Sequence, residues 1–196
     1  MPPGQGAGGG RGPRRVGRGR RPPEAPDSAA AARGRAIGLL ARRDYPRDLL
    51  KDRLTESGFE PGAAEAAVCA LEDERLVNDA RYVENALAIR TARGQGPIRI
   101  ALELRRLGVA RELVAGAVDA RAPEWGQRAA ALRRRRFGAA VPADRSERAR
   151  QVRFLLQRGF TGAQVRHALG SGGQEMELLL EDERADAGAV YDEPAE

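Results

Sequence analysis

Arg133, Arg134, Arg135 and Arg136 stand in one uninterrupted run. A guanidinium presents a planar fork of donors that matches phosphate and carboxylate, so such a run could clasp a polyanion or an acidic protein surface. Successive helical residues turn by about 100°, so four arginines point around the whole circumference. Either that helix end protrudes, or some stems pack while their heads reach outward. A solvated helix end is the plainer alternative, because positive charge also complements the negative C-terminal end of a helix. Arg90, Arg93 and Arg99 flank Gly94-Gln95-Gly96. They could line an anionic groove with the glycines as a hinge, or be surface arginines with one buried Arg–carboxylate pair at a helix-to-helix connection. Arg42, Arg43, Arg105, Arg106 and Arg158 recur near the ends of what read as repeated helices. A solvated face accounts for each singly; a stripe facing a long partner accounts for their recurrence. These twelve arginines are the candidate contact residues.

Other reactive residue types are sparse. There is one cysteine and one histidine, which removes a disulfide framework and a Cys-rich zinc site. Cys69 sits in an Ala-rich helix and reads as a small buried residue, and His167 reads as a surface residue. Glu72-Asp73-Glu74 with Asp79 could be offered to a cation, but with no calcium-loop turn they read as surface charges pairing with arginines. Gly94-x-Gly96 lacks the preceding strand and the Gly-Lys-Ser/Thr of a phosphate loop. With no nucleophile–base pair and no ligand set, the expectation is a non-enzyme with no catalytic residue, metal or cofactor. No apolar run approaches the ~18–20 residues of a membrane span, and Arg14-Arg15 is not followed by an apolar export segment. A cytoplasmic protein is expected.

Charge is distributed unevenly. Residues 1–35 carry eight arginines against Glu24 and Asp27, residues 36–170 carry 25 basic and 17 acidic groups, and residues 171–196 carry Arg184 against nine carboxylates. A basic body between a basic arm and an acidic tail suits contact with a polyanion or an acidic surface.

The elements that must position these groups announce themselves by repetition. Leu54-x-x-x-Gly58-Phe59, Leu104-x-x-x-Gly108-Val109 and Leu155-x-x-x-Gly159-Phe160 share one pattern, their glycines 50 and 51 residues apart. Each is followed nine residues on by Val68, Val118 or Leu169. A helix that ends in the left-handed region wants glycine after its cap, and the next apolar residue then packs back on the helix. The pattern predicts a helix, a glycine stop and a second helix, three times over. Asp144-x-x-Glu147 and Thr161-x-x-Gln164 read as capping boxes, Asn78 as a cap, and Pro46, Pro61, Pro97 and Pro123 as first-turn prolines. Alternating β-branched runs are absent. The helices are predicted at 34–43, 46–57, 61–75, 78–94, 97–107, 110–120, 124–137, 144–158 and 161–170.

The fold class is therefore all-α: three tandem three-helix repeats in an elongated, curved array. The expected organisation is a disordered Gly/Pro/Arg-rich arm over 1–33, repeats over 34–77, 78–121 and 122–170, and a mostly disordered acidic tail over 171–196. In that tail Met176, Leu178, Leu179 and Leu180 could form one short helix. Each repeat is small enough that its stability is expected to come from stacking on its neighbours, with Trp125 packing between the second and third.

Residues 36–170 resemble the RecX-type regulatory proteins, bacterial modulators of the RecA recombinase. The resemblance is carried by Ala36-Ile37-Gly38-Leu39-Leu40-Ala41-Arg42-Arg43-Asp44-Tyr45 and Asp79-Ala80-Arg81-Tyr82-Val83. It is most specific in Arg90-x-x-Arg93-Gly94-x-Gly96-Pro97-x-Arg99-Ile100-x-x-Glu103-Leu104-x-x-x-Gly108-Val109, and extends to Arg136-Phe137-Gly138 and Gly159-Phe160. The chain departs from the family where a Ser-x-x-Glu capping box follows the first tyrosine: Pro46 and Leu49 stand there. The arm and tail are not features of the family core.

The resemblance implies a non-enzymatic protein that lies in the helical groove of the RecA filament and bridges its protomers. It would suppress filament extension, ATP hydrolysis and strand exchange in recombination, DNA repair and the SOS response. The expected partners are the RecA filament and, non-specifically, single-stranded DNA, with no membrane, the chain being a monomer. The alternative is a basic, helix-turn-helix-like DNA-binding protein. Of the candidate reading helices, 61–75 ends in acids and 110–120 offers few long polar groups. Only 161–170, with Gln164, Arg166 and His167, could address base edges.

Overall fold

The computed structural model describes residues 23–186 apart from 24, 141, 143, 171 and 172. Most of the basic arm and the end of the acidic tail therefore lie outside the described residues. Among those described there are ten α-helices and no strand. They are α1 (Ala29–Leu40), α2 (Arg47–Thr55), α3 (Pro61–Asp73), α4 (Asp79–Ala92), α5 (Pro97–Arg106), α6 (Arg111–Ala117), α7 (Glu124–Phe137), α8 (Arg145–Gln157), α9 (Gly162–Leu169) and α10 (Gly173–Asp186). The first nine form three successive three-helix bundles.

The repeated glycines end α2, α5 and α8 as their spacing predicts. Gly58, Gly108 and Gly159 have φ of 97°, 85° and 87°. The N–H groups of Phe59, Val109 and Phe160 each donate back to the carbonyls of Leu54, Leu104 and Leu155 at 3.2 Å. That six-to-one bond satisfies a carbonyl the helix end would otherwise leave open. Gly94-Gln95-Gly96 forms a fourth stop of this kind. Gly94 has φ 75°, and the Gln95 N–H donates to the Arg90 carbonyl at 3.1 Å.

Starts follow the caps with three departures. Asn78 accepts from the Arg81 N–H at 2.9 Å, and Thr161 with Gln164 forms a complete capping box. Asp144 accepts from the Glu147 N–H at 3.0 Å, but the Glu147 carboxylate turns to Arg150 and Gln151, leaving that box half-formed. Pro46 and Pro123 occupy the cap position rather than the first turn. A proline cap has no side-chain acceptor, and α2 takes one from the next bundle: the Arg47 N–H donates to Asp79 Oδ1 at 2.8 Å. Asp79 thus does the work of the missing hydroxyl and ties bundle one to bundle two.

Both ends carry more structure than composition suggests. α1 begins at Ala29, where Ser28 accepts from the Ala31 N–H, so part of the expected arm contributes Ala32 to the core. α10 is longer than the single short helix expected, and its Met176 and Leu180 are fully buried. Met176, Leu179 and Leu180 pack inward while Glu177, Leu178, Glu181 and Asp182 stay exposed, which overall acidity conceals.

There are two apolar cores. Bundle one has its own, built on Leu50, Leu54, Phe59, Val68 and Leu71. Bundles two and three share another with α10, in which Ile100, Leu104, Trp125, Leu155, Phe160 and Met176 meet. Stacking is therefore essential to the last two bundles, whereas the first closes a core on itself. Trp125 sits in the shared core and its indole N–H donates to the Asp119 carbonyl at 3.0 Å. Cys69 is exposed, contrary to expectation. Ala63, Ala64, Ala67, Val68 and Leu71 form the buried stripe of α3, and Cys69 lies off it, 3.5 Å from Glu65 Oε1.

Candidate functional site

Five of the twelve candidate arginines come together where bundle two meets bundle three. The junction is a backbone contact. The Gly96 N–H donates to the Arg158 carbonyl at 2.7 Å, and the Ile98 N–H donates to the Gly159 carbonyl at 3.1 Å. This seats the start of α5 on the end of α8 and brings their arginines side by side. Arg99 Nη1 reaches the Gln157 carbonyl at 3.4 Å, and Arg158 Nη1 reaches the Arg93 carbonyl at 3.3 Å.

Glu103 organises one end. Arg90 Nε and Arg99 Nε lie 3.0 Å from its two oxygens, and Gln95 Nε2 donates to it at 3.1 Å. Burial pushes the Glu103 carboxyl up, but the hydrogen bonds from Arg99 and Arg90 outweigh it and hold it below the usual range. Arg90 is thereby the half-buried member of an ion pair, while Arg93 and Arg99 face solvent.

Phenyl rings carry the belt onward. The Arg158 guanidinium lies 5.2 Å from the Phe154 ring centroid. Phe154 meets Phe137 edge to face, centroids 5.2 Å apart and planes at 86°. Arg150 and Arg136 lie over Phe137 at 5.2 and 5.6 Å. Cation–π contact of this kind holds a guanidinium in place without neutralising it, so its N–H groups remain available to an anion. Glu147 pairs with Arg150 at 2.8 Å, and the hydrogen bonds from Arg150 and Gln151 hold its carboxyl below the ordinary range. The resulting surface runs from Arg90 to Arg136, and Glu103 and Glu147 are the carboxylates that pair with its arginines.

The remaining candidates lie elsewhere. Arg133 is a correction: it is 3% exposed, and its guanidinium donates to the carbonyls of Ala140 and Ala139 at 2.9 and 3.0 Å, with Gln151 Oε1 at 3.4 Å. It ties the end of α7 to the following loop and to α8. Its head points inward because that loop offers unpaired carbonyls, which a five-donor group can satisfy. Arg134 and Arg135 are exposed. Arg42 and Arg43 are exposed beyond the end of α1, Arg43 stacked on Tyr45 at 4.5 Å. Arg106 is exposed, whereas Arg105 lines a separate groove between α5, α6, α7 and α9. Arg105 and Arg158 therefore face different surfaces, and the recurring arginines do not make one stripe.

Arg150, Phe137 and Phe154 belong to the belt and were not among the candidates. Their signal was present: Arg150, Phe154 and Arg158 are spaced i, i+4, i+8 on one helix, which stacks them on one face. Two of the four acids grouped by the sequence pair with arginines as expected, and Asp79 instead accepts from the Arg47 N–H. Glu72 bonds Arg47 at 2.9 Å and Glu74 bonds Arg33 at 2.7 Å. The last candidate reading helix is closed to bases at its key position. Gln164 is buried, donating to the Ala120 carbonyl at 2.7 Å, and Arg166 pairs with Glu177 of α10.

Residues 78–118 match the family model described as the second three-helix domain of RecX, and residues 126–169 match the third. The chain is 42% identical over 154 residues to "Regulatory protein RecX" of Halorhodospira halophila, across 79% of this chain and 96% of that protein. It belongs to the RecX family. Similar RecX proteins occur in Stenotrophomonas maltophilia, 40% identical across 68% of this chain and 82% of the relative, and in Chromohalobacter salexigens, 42% identical across 71% and 91%. The fold resembles the crystal structure of RecX from Lactobacillus salivarius, with a TM-score of 0.63 over 76% of this chain and 97% of that one at 19% identity. A second solved RecX gives 0.61 at 21% identity, covering 72% of each chain. The family is one of regulatory proteins. Among the described residues no helix is long and apolar enough to cross a membrane.

Proposed function

We propose that this RecX-family protein binds the RecA nucleoprotein filament along its groove and inhibits RecA ATP hydrolysis, filament extension and strand exchange. It works by binding alone, as a cytoplasmic monomer in recombination and repair. The single observation that carries this reading is the belt of Arg93, Arg99, Arg158, Arg150 and Arg136, which crosses from one bundle to the next on a rigid backbone junction. A surface that spans two repeats suits a partner that itself repeats. Weak contacts to successive protomers then add through their linkage, giving avidity that none has alone. A ligand that fits one filament geometry better than another shifts the equilibrium between them by that difference.

The belt also has what non-specific contact with a single strand needs, cations interleaved with two phenyl rings. A strand lying in the filament groove would be met by the same surface. Base-specific reading is disfavoured by the inward-turned Gln164 and the ion-paired Arg166.

The deciding experiment measures DNA-dependent ATP hydrolysis by the RecA of the same organism while the purified chain is added. Inhibition below one chain per RecA protomer supports the proposal. Tight DNA binding with the ATPase unaffected would replace it with the DNA-binding alternative.

A further inference from the structure

A groove of about 830 Å³ opens between α5, α6, α7 and α9. Its floor is apolar, made by Ile98, Ala101 and Leu102 of α5, Val114 and Ala115 of α6, and Val118 at the end of α6. Its ionisable lining is Arg105, Arg111, Arg121 and His167; no carboxylate lines it. Other arginines of these bundles pair with carboxylates, as Arg90 and Arg99 do with Glu103 and Arg150 with Glu147. Among the described residues the guanidinium groups of Arg105, Arg111 and Arg121 have none. Arg105 Nε is shut off from solvent and has no hydrogen-bond partner among the described residues.

We propose that this groove docks an acidic amphipathic helical segment of a partner protein. The floor takes apolar anchors at i, i+3, i+4 and i+7, and the carboxylates between them meet Arg105, Arg111 and Arg121. The volume matches sites that enclose several side chains rather than one small anion. A bare polyanion would leave the apolar floor unused. A single nucleic-acid strand would find only the His167 imidazole to stack on, because the lining has no Phe, Tyr or Trp. The groove is distinct from the belt: at about 100° per residue, Ile98, Ala101, Leu102 and Arg105 share one face of α5, and Arg99 and Glu103 lie on the adjoining one. It therefore serves a contact additional to the filament reading and does not rest on it.

The test is fluorescence anisotropy of the full chain with a labelled helical peptide of roughly 14 residues, leucines at the anchor positions and glutamates between them. Binding with a Kd on the order of 10 µM is expected. Arg105→Glu combined with Arg111→Glu should weaken it by about tenfold or more, and Arg106→Glu, outside the groove, should leave it unchanged. Ala115→Trp fills the floor from an exposed position, and its loss of binding supports the assignment even if the charge reversals disturb folding. Equal binding of a scrambled peptide of the same composition would overturn the proposal, as would a peptide affinity indifferent to both the Arg105/Arg111 and Ala115 changes. Two outcomes would reassign the groove. One is oligothymidylate binding that the charge reversals abolish while the peptide fails to bind. The other is a dimer of the chain that Arg111→Glu dissociates.

Discussion

Gly96 and Gly159 meet backbone to backbone across the boundary between two bundles. A Cβ built on Gly96 would land on the Gly159 carbonyl, and one on Gly159 would strike Arg99. Gly159 also holds φ at +87°, which L side chains rarely adopt. Each glycine therefore sets the separation of α5 from α8 and with it the spacing of the arginines they carry.

Gly96→Ala is expected to lower stability by about 2–3 kcal/mol, the cost of forcing apart a packed contact. Gly34→Ala makes the opposite prediction: nothing lies within 4 Å of its Cβ position inside α1, so it should gain about 0.5–1 kcal/mol. Urea unfolding of the two variants side by side checks both signs.

Arg133→Ala should destabilise the chain by about 3 kcal/mol, because it strips a buried cation from two carbonyls and Gln151. Arg134→Ala with Arg135→Ala, both exposed, should change stability by less than about 0.5 kcal/mol. Equal stability of the two variants by urea denaturation would show that the head of Arg133 is not internal.

Arg150→Glu with Arg158→Glu should leave far-ultraviolet circular dichroism unchanged. It should raise the concentration needed to half-inhibit the RecA ATPase about tenfold. Unaltered inhibition by the folded variant would remove the belt from the mechanism.

Stability should decline on acidification through bundle one. Lys51 and then Arg47 hold the Glu65 carboxyl at about 2, below its ordinary 4.5. A depressed carboxylate contributes stability that is full above about 4.5 and is lost as pH falls toward 2. Asp79 acts in the opposite sense, since burial raises its carboxyl more than the Arg47 amide lowers it. Glu65→Gln should therefore flatten the fall of the urea midpoint between those pH values. A profile as steep as the parent's would show that Glu65 does not carry it.

Local order was legible in the sequence where a single residue type answers a single backbone demand. Glycine after a helix end, Asn78 before α4 and the Thr161–Gln164 box each act within one turn, so reading neighbours suffices. Leu54, Leu104 and Leu155 likewise declared the core, since apolar spacing follows the helix period. The roles of the arginines were decided only by tertiary structure. Arg133 and Arg134 are adjacent and alike, and one is buried and the other exposed because the turn of a helix points them at different neighbours. Asp79 caps a helix that begins 32 residues earlier, and Phe137 meets Phe154 from another helix. A guanidinium can serve a carbonyl, a carboxylate, a ring or an unbound partner equally well, so its role depends on what packing brings within reach.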